Sequence, residues 1–408
     1  MNITIQPRLL KGNITPPPSK SQAHRVVIAA ALAGGVSTVE NLARSQDIQA
    51  TLGCMAALGA CAETGKNDAV RVHGMNTCIS RRGALPRFDC GESGSTLRFL
   101  IPIALAVAGG GVFTGRGRLM ERPQQPYFDL FEEKGISYAQ EDGVLTVQGE
   151  LKPGVYKLPG NVSSQFITGL LYALPLLKGD SEIRLTTALE SEGYVDMTLE
   201  VLEQFGIRVT RQENGFFVPG GQSYQSRDVR VESDWSQAAF WYAARALGSD
   251  VTIGGLNKNS AQGDRVIARQ FEQLTAPGDV ELDVSQCPDL VPALAAMAAV
   301  RQGTTQIMNA ARLRIKESDR IVAFTQVLNA MGADVTEQAD GLTIVGKQSL
   351  AGGVDVDSHN DHRIAMMAAI AATRCVQPVT VLDAQCVAKS YPNFWEDYES
   401  LGGELIRS

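Results

Sequence analysis

Two kinds of helical segment alternate along the chain, and they differ in how their apolar residues are distributed. Segments of the first kind are apolar on all sides, which is typical of helices buried inside a protein. They are predicted at 21–35, 95–110, 163–179, 236–248, 288–303 and 362–374. Segments of the second kind are amphipathic and end at a glycine, where a left-handed C-cap is expected.

Each amphipathic segment opens a repeated pattern of helix, glycine, strand, turn, strand and glycine. The pattern occurs at 55–74, 131–149, 202–220 and 328–346, with a weaker copy at 271–284 and a truncated copy at 398–408. Asp-Gly, Asn-Gly and Asn-Asp pairs between the strands predict hairpin turns. Repetition at a fixed period indicates that one supersecondary unit is used several times.

The two patterns together predict six units, each with one buried helix, one surface helix and strands. Three units fill residues 19–232 and three fill residues 233–408, and the strand region within 1–17 is expected to complete the last sheet. A chain of 408 residues also favours two domains, because single cores stop growing at roughly 250–300 residues. We therefore predict an α/β protein of two similar domains, 19–232 and 1–18 with 233–408, each a ring of three βαβαββ units around buried helices.

Composition narrows the class of protein. The chain has 37 Lys and Arg residues against 44 Asp and Glu residues, so its formal charge is −7. A chain without a net positive charge is not expected to bind nucleic acid through bulk electrostatics. The N-terminus lacks the apolar core of a signal peptide, and the longest apolar run, 100–107, is far shorter than the ~20 residues of a membrane span. Seven scattered cysteines without Cys-x-x-Cys spacing predict free, buried thiols, and we expect a cytoplasmic monomer that binds no membrane.

Polar and basic residues gather at the starts of the buried helices. Serines there are explained by N-capping alone. Basic residues are not, because the helix dipole disfavours a cation in the first turns. Backbone amides at a helix start bind anions, so these exceptions predict a shared anionic ligand. The residues concerned are Lys20, Ser21, Arg25, Gly94, Arg98, Ser163, Ser164, Gln165, Asp289 and Arg363.

Two further basic clusters fit such a ligand, although each by itself could be a solvated charge run. The first is Arg116, Arg118 and Arg122 in a Gly-rich loop. The second is Arg314, Lys316, Glu317 and Arg320. Lys316 and Arg320 are four residues apart, so on one helix face they would repel each other unless an anion lay between them. Glu317 is a carboxylate beside these cations and is a candidate for proton transfer.

Other motifs fail. The segment 91–96 lacks the GK[ST] ending of a Walker loop. Ser163 and Ser164 lack the glycine pattern of a hydrolase nucleophile elbow. His359 and His362 could ligate a metal, but no third ligand has suitable spacing, so we expect no metal site.

Seven motifs resemble those of the 5-enolpyruvylshikimate-3-phosphate synthase family over almost the whole chain. They are PPPSKSQAHR, GESGSTLR, GRGRLMERP, VSSQF, LRIKESDR, NDHR and AKSYPNF. The resemblance implies two inverse α/β barrels of three βαβαββ units that close over shikimate 3-phosphate and phosphoenolpyruvate. It also implies an enolpyruvyl transfer that releases phosphate and uses neither a metal nor an organic cofactor.

The resemblance assigns roles to individual residues. It implies that Asp289 accepts a proton from the 5-hydroxyl, that Glu317 exchanges a proton with the methylene carbon, and that Lys20 assists at the donor. Shikimate 3-phosphate would be bound by Lys20, Ser21, Arg25, Ser163, Ser164, Gln165, Ser191, Tyr194, Asp289 and Lys316. Phosphoenolpyruvate would be bound by Lys20, Gly94, Arg122, Gln165, Arg320, Arg363 and Lys389.

Two positions depart from the family pattern, and two rival functions remain. Glu92 stands where Asn is usual and would oppose an anion unless it turns to an arginine, while Arg312 stands where many members have Asn or Glu. The first rival is an enolpyruvyl transferase acting on UDP-N-acetylglucosamine, but the loop 114–121 lacks the cysteine of that family, and Lys20-Ser21 replaces its Lys-Asn. The second rival is a non-catalytic anion-binding protein on the same scaffold.

Overall fold

The computed structural model describes residues 1–65, 69–75 and 84–408. These residues divide into two compact units. The first unit is Lys20–Glu232, and the second unit is Met1–Ser19 together with Ser233–Ser408. Each unit encloses an apolar core of its own. The predicted α/β class is confirmed, since helices and small sheets alternate in both units.

The first unit builds its core around three buried helices. Its described helices are α1 (Lys20–Leu32), α2 (Gln46–Ala57), α3 (Gly94–Ala108), α4 (Gln125–Lys134), α5 (Ser164–Ala173) and α6 (Glu192–Gln204). Its described strands are β3 (Val36–Glu40), β4 (Cys61–Thr64), β5 (Val70–His73), β6 (Arg87–Asp89), β7 (Gly110–Thr114), β8 (Ser137–Glu141), β9 (Val144–Gln148), β10 (Val155–Leu158), β11 (Ser181–Leu185), β12 (Thr210–Gln212), β13 (Gly215–Val218) and β14 (Val229–Arg230). Helices α1, α3 and α5 are buried over almost their whole lengths, as their apolar sequences predict.

The second unit repeats this arrangement. Its described helices are α7 (Trp235–Ala246), α8 (Ile267–Thr275), α9 (Val291–Ala299), α10 (Arg320–Ala330), α11 (His362–Ala372) and α12 (Phe394–Ser400). Its described strands are β1 (Ile3–Gln6), β2 (Lys11–Ile14), β15 (Asp250–Ile253), β16 (Val280–Asp283), β17 (Thr304–Met308), β18 (Val335–Gln338), β19 (Gly341–Val345), β20 (Val354–Asp357), β21 (Val379–Leu382) and β22 (Glu404–Arg407). Every residue of α9 and α11 is buried.

One sheet pattern recurs in both units. The described strands of the first unit form the sheets β14-β3-β5-β4, β6-β7-β9-β8 and β10-β11-β13-β12. In each of these sheets the first pair is parallel and the other two pairs are antiparallel. In the second unit, β16-β17-β19-β18 and β20-β21-β1-β22 have the same arrangement. Strand β1 thus completes the last sheet as expected, whereas β2 pairs with β15 in a two-stranded sheet.

The repeat glycines have two different roles. Gly59, Gly135, Gly206 and Gly332 follow amphipathic helices and have positive φ angles, which confirms the predicted C-caps. Asp142 and Gly143 form the predicted hairpin turn with φ angles of 49° and 74°. The Asn-Asp turn at 67–68 lies outside the described residues.

The other two hairpins correct the prediction for Asn-Gly and Asp-Gly. Gly215 and Gly341 are the first residues of β13 and β19, one position beyond the turn. A Cβ on Gly215 would lie 1.8 Å from the carbonyl oxygen of Ile183, and one on Gly341 would lie 2.0 Å from that of Ile307. These glycines therefore allow close approach to the neighbouring strand.

Two further expectations need correction. The weak copy at 271–284 has no hairpin, because α8 is followed by the single strand β16, which joins the sheet of the next repeat. Cys61 is exposed, whereas Cys54, Cys90, Cys287, Cys375 and Cys386 are buried thiols, and Cys78 lies outside the described residues. Within the described ranges, no helix has both the length and the apolar character needed to cross a bilayer.

Candidate active site

Arg25 is held inside the first unit near the start of α1. Its guanidinium donates to Oγ1 of Thr198 at 2.8 Å, to the Ser21 carbonyl at 2.7 Å and to the Tyr194 carbonyl at 2.8 Å. It also lies 5.2 Å from the ring centre of Phe99. Burial lowers the pKa of Arg25 to about 10, so the group is still a cation at neutral pH. These contacts connect three predicted substrate ligands: Ser21, Arg25 and Tyr194.

Two of the predicted substrate ligands lie at neighbouring helix starts. Lys20 is the first residue of α1, and its ammonium donates to Oδ2 of Asp47 at 2.9 Å. Ser191 precedes α6 with a φ angle of 56°, a left-handed conformation that is uncommon for serine. Ser191 is buried.

The start of α3 carries the glycine predicted to contact the donor. Ser93 caps this helix by accepting from the Thr96 amide, and Gly94 is its first residue. Arg122 is buried, and its guanidinium packs against Gly94. The neighbouring arginines of the loop behave differently, since Arg116 and Arg118 are exposed and pair with Asp89 and Glu121. The predicted loop cluster therefore divides, and only Arg122 of these three turns to the α3 start.

Helix α5 begins beside α3 and is tied to it by Gln165. Ser163 is the N-cap and accepts from the Gln165 amide, and Ser164 is buried in the first turn. The side chain of Gln165 donates to Oγ of Ser95 at 3.0 Å and accepts from Arg98 at 2.8 Å. Arg98 donates in addition to the carbonyl of Pro123. These acceptors of Arg98 are neutral groups, so the expectation that its charge faces an anionic ligand stays a prediction.

The second unit gathers its charged residues around Arg320, the first residue of α10. The exposed fraction of this side chain is 1%. It donates to Oδ2 of Asp361 at 2.8 Å, to Oε2 of Glu317 at 2.8 Å and to Oδ1 of Asp289 at 3.2 Å. Burial alone would lower the pKa of Arg320, but the three carboxylates raise it above the ordinary value.

Asp289 is surrounded by cations on several sides. Nζ of Lys316 lies 3.5 Å from Oδ1 of Asp289, the oxygen that also accepts from Arg320. Arg363 lies 3.3 Å from the other oxygen and donates to the backbone carbonyl of Asp289 at 2.8 Å. The sequence analysis predicted that Lys316 and Arg320 share a helix face. This prediction is wrong, because Lys316 precedes α10. The anion between these two cations is the Asp289 carboxylate.

Asp361 was missed by the sequence analysis as a site residue. It is fully buried, accepts from Arg320 and Ser318, and caps α11 by accepting from the Arg363 amide. Burial alone would raise the pKa of Asp361, but Arg320 outweighs it and holds the pKa below the ordinary 3.8. Its position in the Asn360-Asp361-His362-Arg363 helix start was the available signal. Asp47, the partner of Lys20, was also missed and had no motif to mark it.

The remaining predicted residues have local anchors. Lys389 donates to the carbonyl of Asn360 at 2.6 Å, next to Asp361 in sequence. A Cβ on Gly117 would lie 2.7 Å from Oε2 of Glu92, so this carboxylate turns to the loop of Arg116 and Arg118. Arg312 donates to the carbonyl of Ser285. Among the described residues, no group of three or more His, Cys, Asp or Glu side chains is arranged to hold a metal ion.

Comparisons with known proteins agree over the whole chain. The family model for EPSP synthase (3-phosphoshikimate 1-carboxyvinyltransferase) matches residues 5–398. A curated relative from Clostridium kluyveri, named 3-phosphoshikimate 1-carboxyvinyltransferase, is 46% identical to this chain over 421 residues. The match covers 99% of this chain and 98% of the relative. The solved EPSP synthase from Acinetobacter baumannii is 28% identical with a TM-score of 0.79, and the match covers 100% of both chains.

A further enzyme is similar to this chain in fold only. The enolpyruvyl transferase NikO from Streptomyces tendae is 19% identical with a TM-score of 0.79, covering 100% of this chain and 98% of the other. Family membership depends on the stronger matches in sequence, which span almost the full length of the chain. This chain belongs to the EPSP synthase (3-phosphoshikimate 1-carboxyvinyltransferase) family.

Proposed function

We propose that this chain transfers the enolpyruvyl group of phosphoenolpyruvate to the 5-hydroxyl of shikimate 3-phosphate and releases phosphate. The observation that carries the proposal is the second-unit cluster, in which two carboxylates, Asp289 and Glu317, share one buried cation, Arg320. Addition to an enol ether needs a proton donor at the methylene carbon and a proton acceptor at the attacking hydroxyl. Asp289 contacts Lys316 and Arg363 in addition to the shared Arg320, so the two carboxylates differ in their surroundings and can divide these tasks.

The proposed reaction has two steps. In the addition, the 5-hydroxyl oxygen bonds to C2 of phosphoenolpyruvate, Asp289 takes the hydroxyl proton, and Glu317 protonates the methylene carbon to a methyl group. In the elimination, Glu317 takes a proton back from that methyl group, the double bond re-forms, and the C2–O bond to phosphate breaks. The proton that Asp289 accepted leaves with the phosphate, so both carboxylates return to their starting states. The intermediate between the steps is a tetrahedral phosphate ketal.

Each carboxylate has contacts that suit its proposed role. A proton acceptor must be ionised before the reaction, and Lys316, Arg320 and Arg363 all lie within 3.5 Å of Asp289. Glu317 accepts a hydrogen bond of 2.8 Å from Arg320, which favours its carboxylate form, the form that takes the proton back in the elimination. Lys20 is proposed as the third catalytic group, since an ammonium at a helix start favours the charge that develops on the departing phosphate.

Two anionic substrates repel each other, and the proposal surrounds each with cations and helix starts, of which Lys20 and Gln165 serve both substrates. Shikimate 3-phosphate is proposed to bind the first unit through Lys20, Ser21, Arg25, Ser163, Ser164, Gln165, Ser191 and Tyr194, with Asp289 and Lys316 from the second. Phosphoenolpyruvate is proposed to bind Lys20, Gly94, Arg122, Gln165, Arg320, Arg363 and Lys389. Backbone amides at the starts of α1, α3 and α5 support anion binding at the first unit.

The same proposal extends to the architecture and to the division of labour. We propose that each unit is an inverse α/β barrel of three βαβαββ units around its buried helices. The recurring sheet order supports this, and the two-stranded β15-β2 sheet is the most divergent member. The first unit mainly binds shikimate 3-phosphate, and the second supplies the acid and base groups and part of the phosphoenolpyruvate site.

The deciding experiment is an assay of the purified protein with both substrates. Phosphate release and formation of the enolpyruvyl ether should depend on shikimate 3-phosphate and phosphoenolpyruvate together. UDP-N-acetylglucosamine should not replace shikimate 3-phosphate as the acceptor. If phosphoenolpyruvate reacts with UDP-N-acetylglucosamine but not with shikimate 3-phosphate, the chain catalyses the other enolpyruvyl transfer. If neither acceptor supports turnover, the result favours a non-catalytic anion-binding protein.

A further inference from the structure

Two contacts with the same spacing join α1 to α2. Nζ of Lys20 donates to Oδ2 of Asp47 at 2.9 Å. Four residues further along each helix, Nδ1 of His24 lies 2.7 Å from Oγ1 of Thr51. Residues four apart lie on the same face of a helix, so these contacts are successive rungs between the two helices. The Lys20–Asp47 contact lies at the proposed substrate site, and the next contact, His24–Thr51, is fully buried.

The buried rung continues into α3. Oγ1 of Thr51 lies 2.7 Å from Oγ1 of Thr96, and the Thr96 hydroxyl donates to Oγ of Ser93 at 2.7 Å. Ser93 is the N-cap of α3, directly before Gly94. We call His24, Thr51, Thr96 and Ser93 the buried row, because the exposed fraction of each is 1% or less. The row connects the helix that begins at Lys20 with the helix that begins at Gly94.

The hydroxyl hydrogens determine which nitrogen of His24 is protonated. Thr96 uses its one hydroxyl hydrogen on Ser93, and Thr51 uses its one hydroxyl hydrogen on either the Asp47 carbonyl at 3.3 Å or Thr96 at 2.7 Å. Nδ1 of His24 then donates to Thr51, which leaves Nε2 as the unprotonated nitrogen. Nε2 has no hydrogen-bond partner among the described residues. Burial, together with Lys20 and Arg25, lowers the pKa of His24 well below 6.5, so the ring is neutral.

We propose that the buried row positions the Gly94 helix start relative to Lys20 and thereby sets the affinity for phosphoenolpyruvate. The inference rests on the proposed function, in which Lys20 and Gly94 contact that substrate. Arg122 packs against Gly94, so a displaced helix start also changes the space that this guanidinium occupies. The members of the row are positioning residues, because they act through Lys20, Gly94 and Arg122 and do not touch substrate.

The first unit contains a matched threonine in a separate network. Thr168 is as fully buried as Thr96 and also lies in a helix. Its hydroxyl lies 3.0 Å from that of Thr198 and accepts from Arg25 at 3.5 Å. Since Arg25 is proposed to bind shikimate 3-phosphate, Thr168 and Thr96 should affect different substrates.

The test compares Thr96→Val with Thr168→Val in steady-state kinetics of the full chain. Valine has nearly the shape of threonine but lacks the hydroxyl. Thr96→Val should raise the KM for phosphoenolpyruvate about tenfold, which corresponds to about 1.4 kcal/mol, and leave the KM for shikimate 3-phosphate unchanged. Thr168→Val should show the reverse pattern. Thr96→Ser, which keeps the hydroxyl, should restore the KM for phosphoenolpyruvate.

Several outcomes would overturn the proposal. They are an unchanged KM for phosphoenolpyruvate in folded Thr96→Val, an equal rise of both KM values, and no rescue by Thr96→Ser. If Thr96→Val does not fold, Thr96→Ala removes the same hydroxyl with less bulk, and failure of both to fold would assign the row to stability alone. Failure of the proposed function is distinguishable, because the unmodified chain would then lack turnover with these two substrates.

Discussion

A Cβ atom added to Gly94 would lie 2.6 Å from Nη1 of Arg122 and 2.9 Å from its Cζ. Distances below 3.0 Å between a Cβ and another heavy atom require one of the groups to move. Arg122 is buried and approaches the first residue of α3, so the absent side chain of Gly94 is what makes room for its guanidinium.

Gly94→Ala should therefore impair phosphoenolpyruvate far more than shikimate 3-phosphate. The added methyl group must displace Arg122, and overpacking of this kind costs about 1–3 kcal/mol, so we expect the donor KM to rise by at least about fivefold. Titrations with each substrate would measure the split. The matched control is Gly53→Ala, because Gly53 lies in α2 with no atom within 4 Å of a built Cβ. Equal weakening of both substrates by Gly94→Ala would mean that the glycine serves the fold.

Glu317→Gln should separate binding from chemistry. The amide carbonyl can still accept the hydrogen bond from Arg320, but it cannot carry the proton that the addition step requires. We expect kcat to fall at least about 100-fold while shikimate 3-phosphate still binds, as measured by calorimetry. Glu337→Gln is the control, because Glu337 is partly exposed and pairs with Arg314 outside the cluster. A kcat near that of the unmodified chain would exclude Glu317 as the proton-transfer group.

Asp361→Asn should lower the free energy of unfolding by about 3 kcal/mol at pH 7, because it removes one partner of a buried charge pair. Asparagine still caps a helix, so the loss should come from Arg320. The pKa of Asp361 is lowered in the folded state, so its stabilisation is present above the ordinary 3.8 and is lost as the pH falls through the lower folded-state value.

Denaturant titrations from pH 7 to pH 3 would measure this effect. The difference in unfolding free energy between Asp361→Asn and the unmodified chain should shrink as the pH falls below 3.8. Asp250→Asn is the control, since Asp250 is exposed and pairs with Lys11 in a surface contact of 3.4 Å. A difference that is constant with pH would contradict a charged Asp361 as the source of the stability.

Ser236→Ala should weaken the donor site through Arg363. The Ser236 hydroxyl accepts from Arg363 at 2.9 Å, and Asp289 holds the same guanidinium from another side. Loss of one hydrogen bond to a charged group should raise the KM for phosphoenolpyruvate about fivefold. Ser249→Ala is the control, because Ser249 is equally buried and its hydroxyl accepts from the Leu10 amide, not from an arginine. The same rise in KM for Ser249→Ala would indicate a general effect on stability.

The sequence determined those features that depend on neighbours along the chain. Buried helices followed from continuous apolar runs, and C-caps such as Gly135 and Gly332 followed from a glycine after each amphipathic helix. The motifs identified the basic helix starts and Glu317 as candidates for one anionic site, and they indicated the family. Such signals are readable because helix periodicity and capping act over a few residues.

The tertiary structure decided what depends on residues that are distant in sequence. Asp361 reaches Arg320 across 41 positions, and Asp289 reaches it across 31, so their shared cation could not be seen in any local pattern. The role of Gly341 depends on the carbonyl of Ile307 in a neighbouring strand. Thr51 and Thr96 meet only because α2 and α3 pack together. In each case the interaction energy comes from burial and pairing between separate elements, which a single stretch of sequence does not encode.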